Sequence, residues 1–240
     1  MASVEEIQAL YDQGKLPEAM SAVWREVVEE RQPDDPDIPE LCAIRAWCHY
    51  RRREWDNVRE WIAKAGDTLR AKRLRAYMAA YVDKDDATLQ QIAQELSDDV
   101  GVQNALVIRA RDAESSAVSV DELNPVLIPF VRSKEVDAAN LFHNAARLML
   151  AKGSSDLHLH EALVLIDGAL ERYGTQMHWH HRAAATFWRS HMLERLGRTE
   201  EARGTIAASV GLWEKALELD PSNQGFQTNL ENARKRATEL

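Results

Sequence analysis

Glycine and proline are scarce in this 240-residue chain, at 10 and 7 residues, so the usual turn-forming residues are few. Runs of Val, Ile and Thr at alternating spacing are missing, which leaves β-strands little support. No stretch of about 18 apolar residues occurs, which argues against a helical membrane span. Only two cysteines are present, Cys42 and Cys48. They stand six residues apart in one helical segment, about 9 Å along its axis. That separation is too great for a bridge within the helix, so both are predicted to be buried, reduced thiols. The opening "MASVEEIQALY" lacks the basic start and apolar run of a signal peptide, and a cytoplasmic location is expected. Basic charge is also in deficit: 30 Lys and Arg face 39 Asp and Glu, for a net charge of −9. Such a surface repels phosphate backbones, so nucleic acid is not an expected partner. "RRR" at Arg51–Arg53 and "RAKRLR" at Arg70–Arg75 are local exceptions. They read as solvated helix faces, with an acidic-peptide site as the alternative.

Reactive motifs are missing too. There is no GxGxxG after a strand, no GxxxxGK[ST], no GxSxG and no HExxH. The carboxylate pairs Asp34–Asp35 and Asp85–Asp86 lie in polar turns, where aspartate is expected anyway. No enzyme activity and no cofactor are predicted. Five of the eight histidines fall between His158 and His181. The segment between them predicts a helix over Leu159–Tyr173, with Ala162, Leu163, Ile166, Ala169 and Leu170 on its buried face and Gly174 ending it. Such a helix spans roughly 20 Å. His158 and His160 therefore sit at one end and His178, His180 and His181 at the other, and one zinc ion cannot hold all five. A smaller site from His158, His160 and His191 is the alternative, but no thiol or HExxH spacing supports it. No metal is predicted.

What the chain does have is apolar and helix-forming: 45% hydrophobic and 29% charged, rich in Ala, Leu, Glu, Arg and Gln. The fold class is all-α. One pattern recurs: a helix end, a turn, then a second helix with small or apolar residues four apart. "LYDQGKLPEAMSAV" carries Ala19 and Val23, and "LERLGRTEEARGTI" carries Ala202 and Ile206. Weaker copies carry Val58 with Ile62, Leu89 with Ala93, and Ala162 with Ile166. The marks are spaced by roughly 30–40 residues, with one gap about twice as wide. About six helical pairs then fill residues 1–240 as one domain.

These residues, above all "EEARGTI" and "KALELDPSN" with Pro221 stopping the helix, resemble the tetratricopeptide repeat family. The resemblance covers most of the chain in degenerate form. It implies an α–α superhelix of stacked antiparallel pairs that binds another protein in a concave groove. The family's large aromatic and Leu-Gly pair is nowhere complete. The unit near 101–135 diverges most: a polar loop and a capping box at Ser119 and Glu122 precede Pro125 and Pro129, which should kink or shorten any helix. Ala202, Ser209 and Ala216 form one heptad series and Ile206 and Trp213 another, predicting one long helix near 199–219. "QGFQTNLENARKRATEL" reads as a last, capping helix with Phe226, Leu230 and Ala233 on one side. Ser3 and Glu6 predict a capping box opening the first helix.

Counting back from the turn marks sets a candidate binding surface. Tyr11, Tyr50 and Tyr81 each stand eight residues before a mark, and Gln8, Trp47 and Met78 form the row one turn earlier. The last pair contributes His191 or Glu194. The resemblance implies that these rows face the groove. Tyr and Trp offer area at low entropic cost, Met78 adaptability, and Arg51 a partner for a carboxylate. Packing of the same aromatics between helical pairs is the alternative. The family's carboxylate clamp is missing, because Val4, Gln8, Ala43, Trp47, Leu74 and Met78 occupy its places, so chaperone-tail binding is not implied. The chain is therefore expected to be a protein-interaction scaffold. Self-assembly and a small-ligand or metal-binding regulatory role are the alternatives.

Overall fold

The computed structural model describes residues 2–112 and 114–240. Among them every regular element is helical, with thirteen α-helices and no strand. Among the described residues no helix is long and apolar enough to cross a membrane. The chain divides into two compact units, Met1–Ile92 and Ala93–Leu240.

The first unit opens with α1 (Val4–Asp12), whose first turn is closed by the Ser3–Glu6 capping box. That reciprocal pair satisfies two N–H groups a helix start otherwise leaves orphaned. Gly14 then takes a left-handed backbone, φ 76°, which a residue without Cβ adopts freely. α2 (Leu16–Trp24) begins with Pro17 in its first turn and runs into a π-helical turn, Arg25–Glu30. α3 (Ile38–Arg51), α4 (Trp55–Ala65) and α5 (Leu69–Met78) follow. α5 passes into a second π-helical turn, Ala79–Asp83. α6 (Asp86–Glu95) crosses the division between the units. The turn marks Ala19, Val58 and Leu89 are fully buried. α1 packs on α3, and α3 on α5, so the first helices of successive pairs are neighbours. Ile7, Leu41, Ile44 and Leu74 fill the space between them. Cys42 and Cys48 are free and buried, and burial raises the Cys48 thiol to about 11. It is therefore a poor nucleophile at neutral pH.

The first helix wholly within the second unit is α7 (Val100–Arg111), capped by the Asp99 carboxylate on the Val102 N–H. The region after it is irregular, as the prolines predict. The Ser119–Glu122 capping box forms, but the helix it opens breaks into a 3₁₀ turn, a five-residue α8 (Leu123–Leu127) and a second 3₁₀ turn at Ile128–Phe130. Pro125 and Pro129 lack the N–H that a continuing helix would use. α9 (Asp137–Lys152), α10 (Asp156–Tyr173) and α11 (Trp179–Arg195) are long and regular. Gly174 closes α10 with a helical backbone, not the left-handed one a terminal glycine suggests. α12 (Thr199–Leu219) has 21 residues. Both its predicted heptad series are buried, and the Ser209 hydroxyl donates to the Ala183 carbonyl at 2.9 Å. Small residues on that face let α11 and α12 approach closely. α13 (Gln224–Glu239) buries Leu230 and Ala233 against α12. Asn223 caps it, accepting the Phe226 N–H at 3.1 Å. Asn223→Ala is expected to lower stability by about 1 kcal/mol and to speed amide exchange in α13 before the rest of the unit. Unchanged exchange there would contradict the cap's role.

Candidate functional site: an aromatic surface on the first unit

α1, α3, the start of α4, α5 and the π-helical turn after it bring six aromatic side chains together. Trp47 on α3 meets Tyr50 at 5.5 Å and Tyr77 of α5 at 5.3 Å, both edge to face. Tyr50 in turn meets Trp55 at 5.7 Å and Tyr77 at 6.4 Å, and Tyr77 meets Tyr81 at 5.7 Å. Edge-to-face pairs put the positive ring rim against a negative ring face, worth about 0.5–1.5 kcal/mol beyond the buried area. The rings therefore hold one another in place. Trp47 also donates its indole N–H to the Arg70 carbonyl at 3.2 Å. Arg70 points its guanidinium the other way, to Glu40 at 2.6 Å and to the Gln8 amide oxygen. Tyr11 completes the surface from α1, with the Arg51 guanidinium 4.2 Å over its ring.

Tyr11, Glu40, Trp47, Leu69, Arg70 and Arg73 enclose an open cavity of about 360 Å³. Tyr11, Trp47 and Tyr50 are half-buried, while Tyr81 and Leu69 are 39% and 49% exposed. Burial raises the Tyr11 phenol despite the nearby Arg51 charge. It raises the Tyr50 phenol as well, with Tyr77 and Tyr11 adding to the effect. Both hydroxyls are therefore neutral donors at pH 7. The surface combines ring faces, a fixed Arg–Glu pair and phenol hydroxyls, a set suited to non-covalent recognition.

One sequence expectation needs correction. Met78 does not join the surface: it is 4% exposed and sits in the core beside Leu74. The cause is the π-helical turn at Ala79–Asp83. Its wider winding breaks the 3.6-residue register between the Leu89 mark and α5, so counting back through it lands on the wrong face. Tyr77 contributes the ring instead, and the i, i+4 pair Tyr77–Tyr81 was the available signal. Arg51 is exposed and lies over the Tyr11 ring. Gln8 and Tyr11 fall on α1, Trp47 and Tyr50 on α3, and Tyr81 in the π-helical turn that follows α5.

His191 belongs to the second unit. It is half-buried, 4.9 Å from the Phe187 ring and 5.1 Å from Trp188. Burial, with a smaller push from Arg236, lowers it to about 4, so it is neutral at pH 7. The other histidines serve local ends. His158 accepts the Ser154 N–H at 3.2 Å, and its far nitrogen lies 3.4 Å from Asp121. His160 bonds the Asp156 carbonyl at 2.8 Å. His180 stands 4.1 Å from His181 and stacks on Phe226 at 5.0 Å. Among the described residues no group of three His, Cys, Asp or Glu side chains is placed to hold a metal ion. No protein-family model matches the chain, and no curated protein or solved structure matches it either.

Proposed function

We infer that the chain is a non-enzymatic, tetratricopeptide-like scaffold of the cytoplasm. Its first unit binds an extended or helical segment of another protein. The observation that carries this reading is the contiguous, partly exposed aromatic surface of Tyr11, Trp47, Tyr50, Tyr77 and Tyr81. A purely structural cluster would bury its rings, whereas Tyr81 and the neighbouring Leu69 stay open to solvent. Rings already locked edge to face lose little entropy when a partner arrives. Pairing of consecutive helices, with first helix against first helix, supports the repeat reading.

The test uses random peptides displayed on phage and selected on the intact chain. Peptides that bind the wild type are expected to lose about tenfold or more in affinity to Trp47→Ala, which is ~1.4 kcal/mol. Circular dichroism verifies that the variant is folded. Peptides that bind both proteins equally would remove the surface as the recognition site.

A further inference from the structure

Among the described residues of the second unit, Arg147 is a cation without a counterion. Arg147 projects from α9 into a cavity of about 440 Å³ that α11, α12 and α13 complete. Ala184, Phe187, Trp188 and Trp213 supply its apolar walls, and Asn229 and Asn232 stand on α13. No carboxylate lines it. The guanidinium lies 4.4 Å over the Trp188 ring. It has no ion pair among the described residues, and its Nε is buried without a hydrogen-bond partner. Arg111, bound to Asn144 at 3.1 Å, adds a second positive charge nearby. His191 at the cavity wall is neutral at pH 7. Asn229 and Asn232 are exposed at the cavity rim, where their carboxamides can donate to a ligand.

A half-buried charge with unmet donors is costly to keep. A planar guanidinium fork, placed over an indole ring, matches a carboxylate in two parallel hydrogen bonds. The lining carries one formal positive charge, so it suits a monoanion better than a phosphate dianion. The walls are aromatic, so the rest of the ligand is apolar and flat. A volume of this size is that of a small-molecule site. We propose that this cavity binds a small organic acid, with Arg147 gripping its carboxylate, Trp188 and Trp213 flanking its apolar body, and Asn229 and Asn232 bonding its outer face. This site is independent of the peptide surface, and Trp47→Ala leaves it intact.

Indole-3-acetate and phenylacetate are the probes, titrated into the intact chain by calorimetry and by ligand-observed NMR. Both are expected to bind saturably, and phenylacetamide, which keeps the shape and loses the charge, about tenfold or more weakly. Arg147→Met keeps the stem and removes the charge, and is expected to abolish the preference for acid over amide. Arg147→Lys keeps a point charge without the fork and should fall between the two, which secures the test if the methionine variant folds poorly. Equal binding of acid and amide by the wild type, or an unchanged preference in Arg147→Met, overturns the proposal. Stronger binding of phenyl phosphate overturns the choice of a monoanion. Tighter binding of the tripeptide Ala-Ala-Phe than of phenylacetate overturns the free-acid assignment in favour of a chain terminus.

Discussion

Replacing Arg31 by methionine is expected to destabilise the first unit by about 3–5 kcal/mol. Arg31 follows the π-helical turn after α2, and its side chain is 8% exposed. It bonds the Glu26 carboxylate at 3.0 Å, Asp35 at 3.1 Å, Asp37 at 2.7 Å and the Ala2 carbonyl at 3.0 Å. Glu26 is itself only 2% exposed. Burial works against its carboxylate, yet the Ala2 N–H and Arg31 together hold it below its ordinary range. Removing the guanidinium strands a buried carboxylate beside two others, with the Ala2 N–H and the positive charge of the chain's amino terminus left to offset it. A buried ion pair adds little against a well-packed apolar replacement, but breaking it from one side is expensive. Urea denaturation should therefore show a large loss for Arg31→Met and a partial recovery for Glu26→Gln with Arg31→Met. Hydrogen exchange should locate the loss in α1, α2 and α3. A single-variant effect below about 1 kcal/mol, the range of an exposed pair, would show that the network is dispensable.

The second large effect is acid destabilisation of the second unit through His143. This side chain lies on α9, 6% exposed, with its Nε2 unbonded. Burial lowers it from 6.5 to about 3, and the charges of Arg147 and Arg111 and the His181 ring add to the shift. Below about pH 6.5 the unfolded chain takes up a proton that the folded one refuses, so stability falls as pH falls from there toward 3. At pH 4 the loss from this group is roughly 3 kcal/mol. Burial first, then like-charge neighbours, also hold His180 and His191 near 4, which acts in the same direction. Asp137 opposes the shift at His181 without cancelling it. His143→Leu is expected to flatten the acid limb, shown by the difference in urea midpoint between pH 7 and pH 4.5 and by slower exchange in α9 at the lower pH. An acid limb identical to the wild type's would assign the effect to other groups.

The sequence by itself determined the features that depend on neighbours a few residues apart. The Ser3–Glu6 and Ser119–Glu122 boxes, the break at Pro125 and Pro129, and the two heptad series of the long α12 are all encoded within one or two helical turns. The same holds for the separation of His158 and His160 from His178, His180 and His181, since a helix has a known rise per residue. The aromatic surface was legible in part: Tyr11, Trp47, Tyr50 and Tyr81 followed from the spacing of the turn marks.

Only the tertiary structure decided the rest. Met78 yields its place to Tyr77 because a π-helical turn interrupts the register, and no residue of "MAAYVD" announces the extra winding. Glu26 and Arg31 look like surface charges in "REVVEERQ", yet Ala2 and the Asp35–Asp37 turn close over them. Arg147 meets Trp188 across 41 positions of chain (188 − 147), and its lack of a counterion depends on which residues four separate helices carry there. Helical periodicity reports which face a residue occupies. Whether that face meets a carboxylate, a ring or a cavity depends on segments far along the chain, and so is settled only when they pack.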